Sequence, residues 1–203
     1  MDFEAVAAPG TRLGPADLMS LERYARERAR LRPRVIEHKR RRTVHCGPNL
    51  TWCFEDRLTV QYQVQEMLRI ERIFEAQGIE EELAAYNPLI PDGSNWKVTL
   101  LIEFTDADER RAALAELRSI EDHCWVQVQR HARVYSIADE DLERENEHKT
   151  SSVHFLRFEL DAAMVADVKR GGAIGLGVDH ERYRHSVSPL PAEIRDSLAR
   201  DLA

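Results

Sequence analysis

The stretch Asn87-Pro88-Leu89-Ile90-Pro91-Asp92-Gly93-Ser94-Asn95 runs directly into Trp96-Lys97-Val98-Thr99-Leu100-Leu101-Ile102-Glu103-Phe104. In the second half, Trp96, Val98, Leu100, Ile102 and Phe104 alternate with Lys97, Thr99, Leu101 and Glu103. Successive side chains of a strand point to opposite faces, so this pattern predicts a strand with one face in the core. The first half is a loop held by two prolines and a glycine, and Asn87, Asp92 and Asn95 give it short polar groups. A rigid polar loop feeding a buried strand is a place where a binding site is expected.

Working upstream, the spacing predicts one long helix from Asp56 to Gln77. Val60, Val64, Met67 or Leu68, Ile70 and Phe74 form its inner side, and Gly78 ends it; Glu80 to Tyr86 adds a short turn. Before it, Thr43–Cys46 and Leu50–Phe54 flank Gly47-Pro48-Asn49, a hairpin signal. With Pro48-Asn49 as the loop, Cys46 faces Thr51 and Val44 faces Cys53. Both thiols then share a face, diagonally, at roughly 7–8 Å. That exceeds the disulfide reach of about 4.4–6.8 Å. Leu18, Leu21, Tyr24 and Leu31 predict a helix that Pro33 breaks, with Val35 and Ile36 in a short second one.

Downstream, Asp106 and Glu109 make a capping box for a helix carrying Leu114 and Leu117. Cys124–Val128 and Arg133–Ile137 read as a second hairpin, and Val153–Leu160 as a strand. Asp161 caps a helix stopped by Gly171-Gly172, and Ala173–Val178 is the expected last strand. Tight hairpins require antiparallel pairing. The class is therefore α+β: a single mixed, largely antiparallel sheet packed by helices. One domain is expected over residues 18–185, including a basic helical arm at 18–42, with tails at 1–17 and 186–203.

Hydrophobic content of 43% and charged content of 32% are ordinary for a soluble protein. No apolar run approaches the roughly 20 residues of a membrane span. The N-terminus has no secretory pattern, so the expected location is the cytoplasm, where three unpaired cysteines are tolerated. The net charge of −7 hides an asymmetry. From Arg23 to Arg42 there are ten Arg or Lys against two Glu, a local balance of +8. A dense acidic run spans Asp139 to Glu147. The arm either packs on the acidic body or meets an anionic partner such as nucleic acid. Against nucleic acid stand the acidic chain, Tyr24 as the arm's sole aromatic, and the absence of a recognition motif.

Several chemistries leave no trace. There is no Cys-x-x-Cys, no phosphate-binding glycine motif, no Gly-x-Ser-x-Gly and no His-Glu-x-x-His. Di-iron carboxylate bundles need paired Glu-x-x-His motifs, also absent. The helix before the loop carries Glu66, Arg69 and Arg72; Glu66 and Arg69 share a face and can pair or hold a ligand's acid group. His154 falls on the same face as Leu156 and Phe158, where a hydrogen-bonded core histidine is the bland alternative to a ligand. His180, with His185, is a weaker metal candidate.

Longer words carry a resemblance: Arg34-Val35-Ile36-Glu37-His38-Lys39-Arg40-Arg41-Arg42, Gln63-Val64-Gln65-Glu66-Met67-Leu68-Arg69, Ala85–Asn95, Ser152–Phe158 and Gly177-Val178-Asp179-His180. Over about residues 18–185 the chain resembles a bacterial family known only as a domain of unknown function. That resemblance implies encoding beside rubrerythrin-type and iron–sulfur redox proteins, hence a link to peroxide defence or electron transfer. It implies no assigned active residues and no particular cofactor.

The leading expectation is a cytoplasmic accessory or binding protein of a redox system, free or as a homo-oligomer. Its ligand would contact Glu66, Arg69, Arg72, Asn87, Asp92, Asn95 and His154, between the acid–base helix and the loop. One alternative is a metal-dependent enzyme or metalloprotein with a site near Glu66, Asp92 and His154. The other is nucleic-acid binding through the basic arm.

Overall fold

A computed structural model describes residues 10–140 and 149–203. Most of the acidic run lies outside the described residues. Ser20 caps α1 (Leu21–Arg40), which passes through Pro33 instead of breaking there. Pro33 sits on the exposed side, while Tyr24, Leu31 and Val35 are buried on either side of it. Those burials outweigh the one ladder hydrogen bond that proline removes.

The strands β1 (Thr43–Cys46) and β2 (Leu50–Glu55) form the first hairpin with the register Cys46↔Leu50, Val44↔Trp52 and Thr43↔Cys53. The turn is therefore three residues, entered by Gly47 at φ +75°. This corrects the expected cysteine geometry. A one-residue slip reverses which face a strand shows, and burial of Trp52 and Phe54 selects the register. Cys46 points into the core and Cys53 to the opposite face.

Asp56 caps α2 (Arg57–Glu71) in a reciprocal box with Thr59. The helix stops at Arg72, whose φ of +57° makes a left-handed cap with Ile73 N–H returning to the Leu68 carbonyl. The expected continuation to Gln77 is thus replaced by α3 (Ala76–Tyr86). Gly78 lies inside α3 rather than ending α2, and its lack of a side chain makes room for Ile73, which a Cβ there would approach to 2.7 Å. Ile70, on the side of α2 away from its buried residues, and Phe74, beyond the turn, are both exposed and not part of the inner side.

Next come β3 (Asn95–Ile102), α4 (Ala107–Glu116) capped by Asp106, β4 (Cys124–Val128), β5 (Val134–Tyr135) and β6 (Ile137–Ala138). They are followed by β7 (Val153–Glu159), α5 (Ala162–Lys169) capped by Asp161, β8 (Ile174–His180), β9 (Tyr183–Val187) and α6 (Ala192–Leu198). The class is α+β, but the single expected sheet is two. One has the order β1-β2-β3-β7-β6 and the other β5-β4-β8-β9, and every strand pairing in both is antiparallel.

Both inward faces are apolar, and two sheets sharing one core bury more of this surface than a single sheet could. Trp52, Phe54, Trp96 and Phe158 from the first sheet join Val126, Leu176 and Val178 from the second. The Tyr183 hydroxyl ties the sheets together, donating to the Cys46 carbonyl at 2.8 Å and accepting from Asn49 N–H at 3.0 Å.

The sequence reading missed β9. Residues 186–203, expected as a tail, contribute Leu190, Ile194, Leu198 and Leu202 to the same core. Trp96 Nε1–H donates to the Leu198 carbonyl.

Candidate functional site

The first sheet has a second face. Alternation puts Cys53, Glu55, Lys97, Thr99, Leu101, Val153, Phe155 and Arg157 opposite the core. The α2–α3 pair and the Asn87-Pro88-Leu89 turn stand over this face without filling the space between. Met67 from α2, with Glu82, Ala85 and Tyr86 from α3, oppose Lys97, Phe155 and Arg157 across a cavity of about 480 Å³. A second cavity of about 260 Å³ continues over Cys53, Glu55, Thr99 and Leu101. The two share Tyr86, Leu89 and Phe155 and make one groove.

Most polar groups at the groove are already engaged. Glu55 accepts from Thr99 Oγ1 at 2.7 Å and Thr59 Oγ1 at 2.5 Å. Arg157 grips Glu140 with two 2.8 Å hydrogen bonds and reaches Glu159 at 2.6 Å. Lys97 differs: among the described residues its ammonium has neither a hydrogen bond nor an ion pair. Burial, then the nearby Arg157 charge, hold its pKa below the usual lysine range, with Glu140 opposing. Glu82 lies across from it with Oε2 buried and without a partner among the described residues. Burial, then Glu71 and Glu81, push its carboxyl up. Burial likewise raises the Cys53 thiol to about 11, so this is no activated nucleophile.

The residues singled out from the sequence are scattered over the fold. Glu66 faces α1, where Arg28 binds it bidentately at 2.8 and 2.9 Å, Tyr24 donates its hydroxyl at 2.6 Å and Arg69 lies at 3.3–3.4 Å. The Arg28 bonds, joined by Tyr24 and Arg69 and opposed by burial, lower its pKa to about 2. Arg72 is exposed at the helix stop. Asn87 clamps the incoming chain, accepting from Leu13 N–H at 2.7 Å and donating to its carbonyl at 3.0 Å. Asp92 is exposed and closes its own turn through Ser94, while buried Asn95 joins Asp92 N–H to Glu159. Their backbone carries the groove's edge, but these side chains do not converge in it.

His154 belongs to the opposite face and is fully buried. Nδ1 lies 2.6 Å from Asp139 Oδ2, and Nε2 lies 2.9 Å from Thr150 Oγ1, 3.1 Å from the Ser151 carbonyl and 3.7 Å from Glu121 Oε2. Burial alone would lower its pKa, but Asp139 and Glu121 outweigh it and raise it. His154 thus gathers Asp139, Glu121 and Thr150 rather than Glu66 and Asp92. His180 is buried and bonded to the Arg118 carbonyl.

The inner face of the basic arm is packed, while Arg23, Arg26, Arg30, Arg32, Arg34, Arg40 and Arg41 are exposed. Wholly buried Arg42 donates to the Phe54 and Glu55 carbonyls and to Asp201 at 2.5 Å. His38 meets Asp56 at 2.6 Å. Burial raises the Asp56 carboxyl, yet Arg42 and His38 bring it down to about 2.

Sequence reasoning missed Lys97, Glu82, Tyr86 and Phe155. One signal was present: Leu101 and Phe155 are apolar residues on the outward face of strands, which implies that something covers that face.

Fold and groove together define a two-sheet α+β protein with a helix-roofed, mostly apolar cleft on one outer sheet face. The chain belongs to the family described as protein of unknown function DUF3501, whose model matches residues 12–202. It is similar to a crystal structure of a novel protein of unknown function from Burkholderia pseudomallei K96243. The two share 49% identity over 95% of this chain and 100% of the other, with a TM-score of 0.91. No curated protein matches the chain significantly. Among the described residues, no helix is long and apolar enough to cross a membrane.

Proposed function

We propose that this protein is an accessory binding protein that holds a small, largely apolar molecule in the groove between α2–α3 and the outer face of β2, β3 and β7. One observation carries the reading: the helices roof a sheet face of mixed polar and apolar residues but leave a groove of about 480 Å³, apolar over most of its wall, beneath them. Small-molecule sites are clefts of about 300–1,000 Å³, and this groove falls in that range. The raised Cys53 thiol favours binding over nucleophilic chemistry. The neutral dye Nile red tests the reading. Saturable emission with the native protein that Ala85→Trp abolishes is expected; absent binding, or binding indifferent to Ala85→Trp, overturns it. The rubrerythrin-type or iron–sulfur partners implied by the family resemblance belong to this reading too, and pull-down at physiological salt tests them.

A second reading has its own observation. Glu121, Asp139 and His154 can each offer one ligand atom, all within 4.8 Å of one another. This supports a metalloprotein centred on His154, without Glu66 or Asp92. Elemental analysis of protein purified without chelator decides it: a stoichiometric transition metal supports the site, and traces alone remove it. The groove is preferred because Thr150, Ser151 and Asp139 already occupy both nitrogens of His154.

A further inference from the structure

Resting on the groove reading, we propose that its ligand is an amphipathic acid: a carboxylate or phosphate head seated on Lys97 Nζ, an apolar body along Met67, Tyr86, Leu89 and Phe155, and a hydrogen-bond donor meeting Glu82.

The argument is one of leftover polar groups. In β3, Lys97 stands between Glu55 of β2 and Arg157 of β7 by register. Neither neighbour is available to it. Glu55 is bound by Thr59 and Thr99, and Arg157 takes both Glu140 and Glu159. Glu159 also accepts from Ser94 Oγ at 2.6 Å and Asn95 Nδ2 at 3.2 Å, and Asp92 is held in its own turn. An ammonium is thus left half-buried in an apolar cleft with no partner among the described residues. A charge at the edge of an apolar cleft is incompletely hydrated, and an incoming anion makes a charge-assisted hydrogen bond there that no protein group competes for among the described residues. Glu82 repeats the pattern from the roof, with a buried carboxyl oxygen that no donor among the described residues reaches. Among the described residues, Trp52 Nε1, Arg57 Nε and Trp125 Nε1 are also buried without a partner, but none of these residues lines the groove. Lys97 and Glu82 line the same cavity from opposite walls.

Isothermal titration of the native protein with octanoate, octyl phosphate, octan-1-ol and octylamine tests this. Octanoate or octyl phosphate is expected to bind about tenfold or more tighter than octan-1-ol. Octylamine, whose ammonium meets Glu82 and not Lys97, is expected to bind Lys97→Met at least as well as the native protein. The order of the two acids tells a carboxylate head from a phosphate. Lys97→Met is expected to erase the acid–alcohol difference and Lys97→Arg to restore most of it, both variants being checked by thermal melting. Equal binding of acid and alcohol, or a preference untouched by Lys97→Met, overturns the inference while leaving the groove reading intact. If no probe binds and Ala85→Trp changes nothing, the groove reading itself falls.

Discussion

Glu66→Gln separates a structural clamp from a ligand site. In the structure the Glu66 carboxylate fastens α1 to α2 through Arg28, Tyr24 and Arg69, with its side chain only 13% exposed. Its pKa falls from 4.5 to about 2. At about 1.36 kcal/mol per pH unit, this corresponds to roughly 3 kcal/mol of stabilisation at neutral pH. Arg28 is about one-third exposed, and solvent screening trims that to roughly 2 kcal/mol. Because the folded pKa is lowered, the contribution is complete above about pH 4.5 and disappears as pH falls towards 2. Urea unfolding followed by tryptophan emission should show Glu66→Gln about 2 kcal/mol less stable than wild type at pH 7. The melting temperature should drop by about 4–8 °C. At pH 3 the gap should shrink to well under half. A gap of equal size at both pH values, or one below about 0.5 kcal/mol at pH 7, refutes the assignment. So does a large loss of groove binding with stability unchanged.

Arg42→Met should cost about 3–5 kcal/mol in urea unfolding, because Asp201 and Asp56 lose a buried counter-charge; a loss below 1 kcal/mol would show that the cluster relaxes freely. Gly177→Ala should destabilise by roughly 1–3 kcal/mol. A Cβ there would lie 2.4 Å from the Trp125 ring and 2.7 Å from the His185 carbonyl, and an unchanged melting temperature would contradict that packing. By NMR, the His154 imidazole should titrate above 6.5, its stabilisation being complete below that pH and lost as pH rises through the folded value; titration below 6.5 would reverse the direction argued here. Native alkylation with iodoacetamide should label only Cys53, and slowly, since Cys46 and Cys124 are buried; comparable labelling of all three would contradict the register of the first hairpin.

Much of the framework could be read from the chain. The alternation from Trp96 to Phe104, the Asp106 and Asp161 caps and the inward placement of His154 all reappear in the structure. These are local properties, set by side-chain period and by backbone groups a few residues apart. The misreadings share one cause. Proline at 33, the stop at Arg72 and the three-residue hairpin turn were each decided by what the flanking residues bury, not by the turn residues themselves. The prominent polar loop residues drew attention in the sequence but are consumed in holding the loop, whereas Lys97 looks like any outward strand residue.

The sequence alone determined the class of elements, their approximate order and the one-sided burial of the central strand, because periodicity and capping act over a single turn or pleat. Tertiary structure alone decided that the strands divide into two sheets, that Arg28 and Arg42 of the basic arm are held by carboxylates of the body, and that an ammonium and a carboxyl oxygen beneath a helical roof find no partner among the described residues. Whether a polar group finds a partner depends on residues far away in the chain, as Arg42 and Asp201 show. No local pattern encodes that pairing.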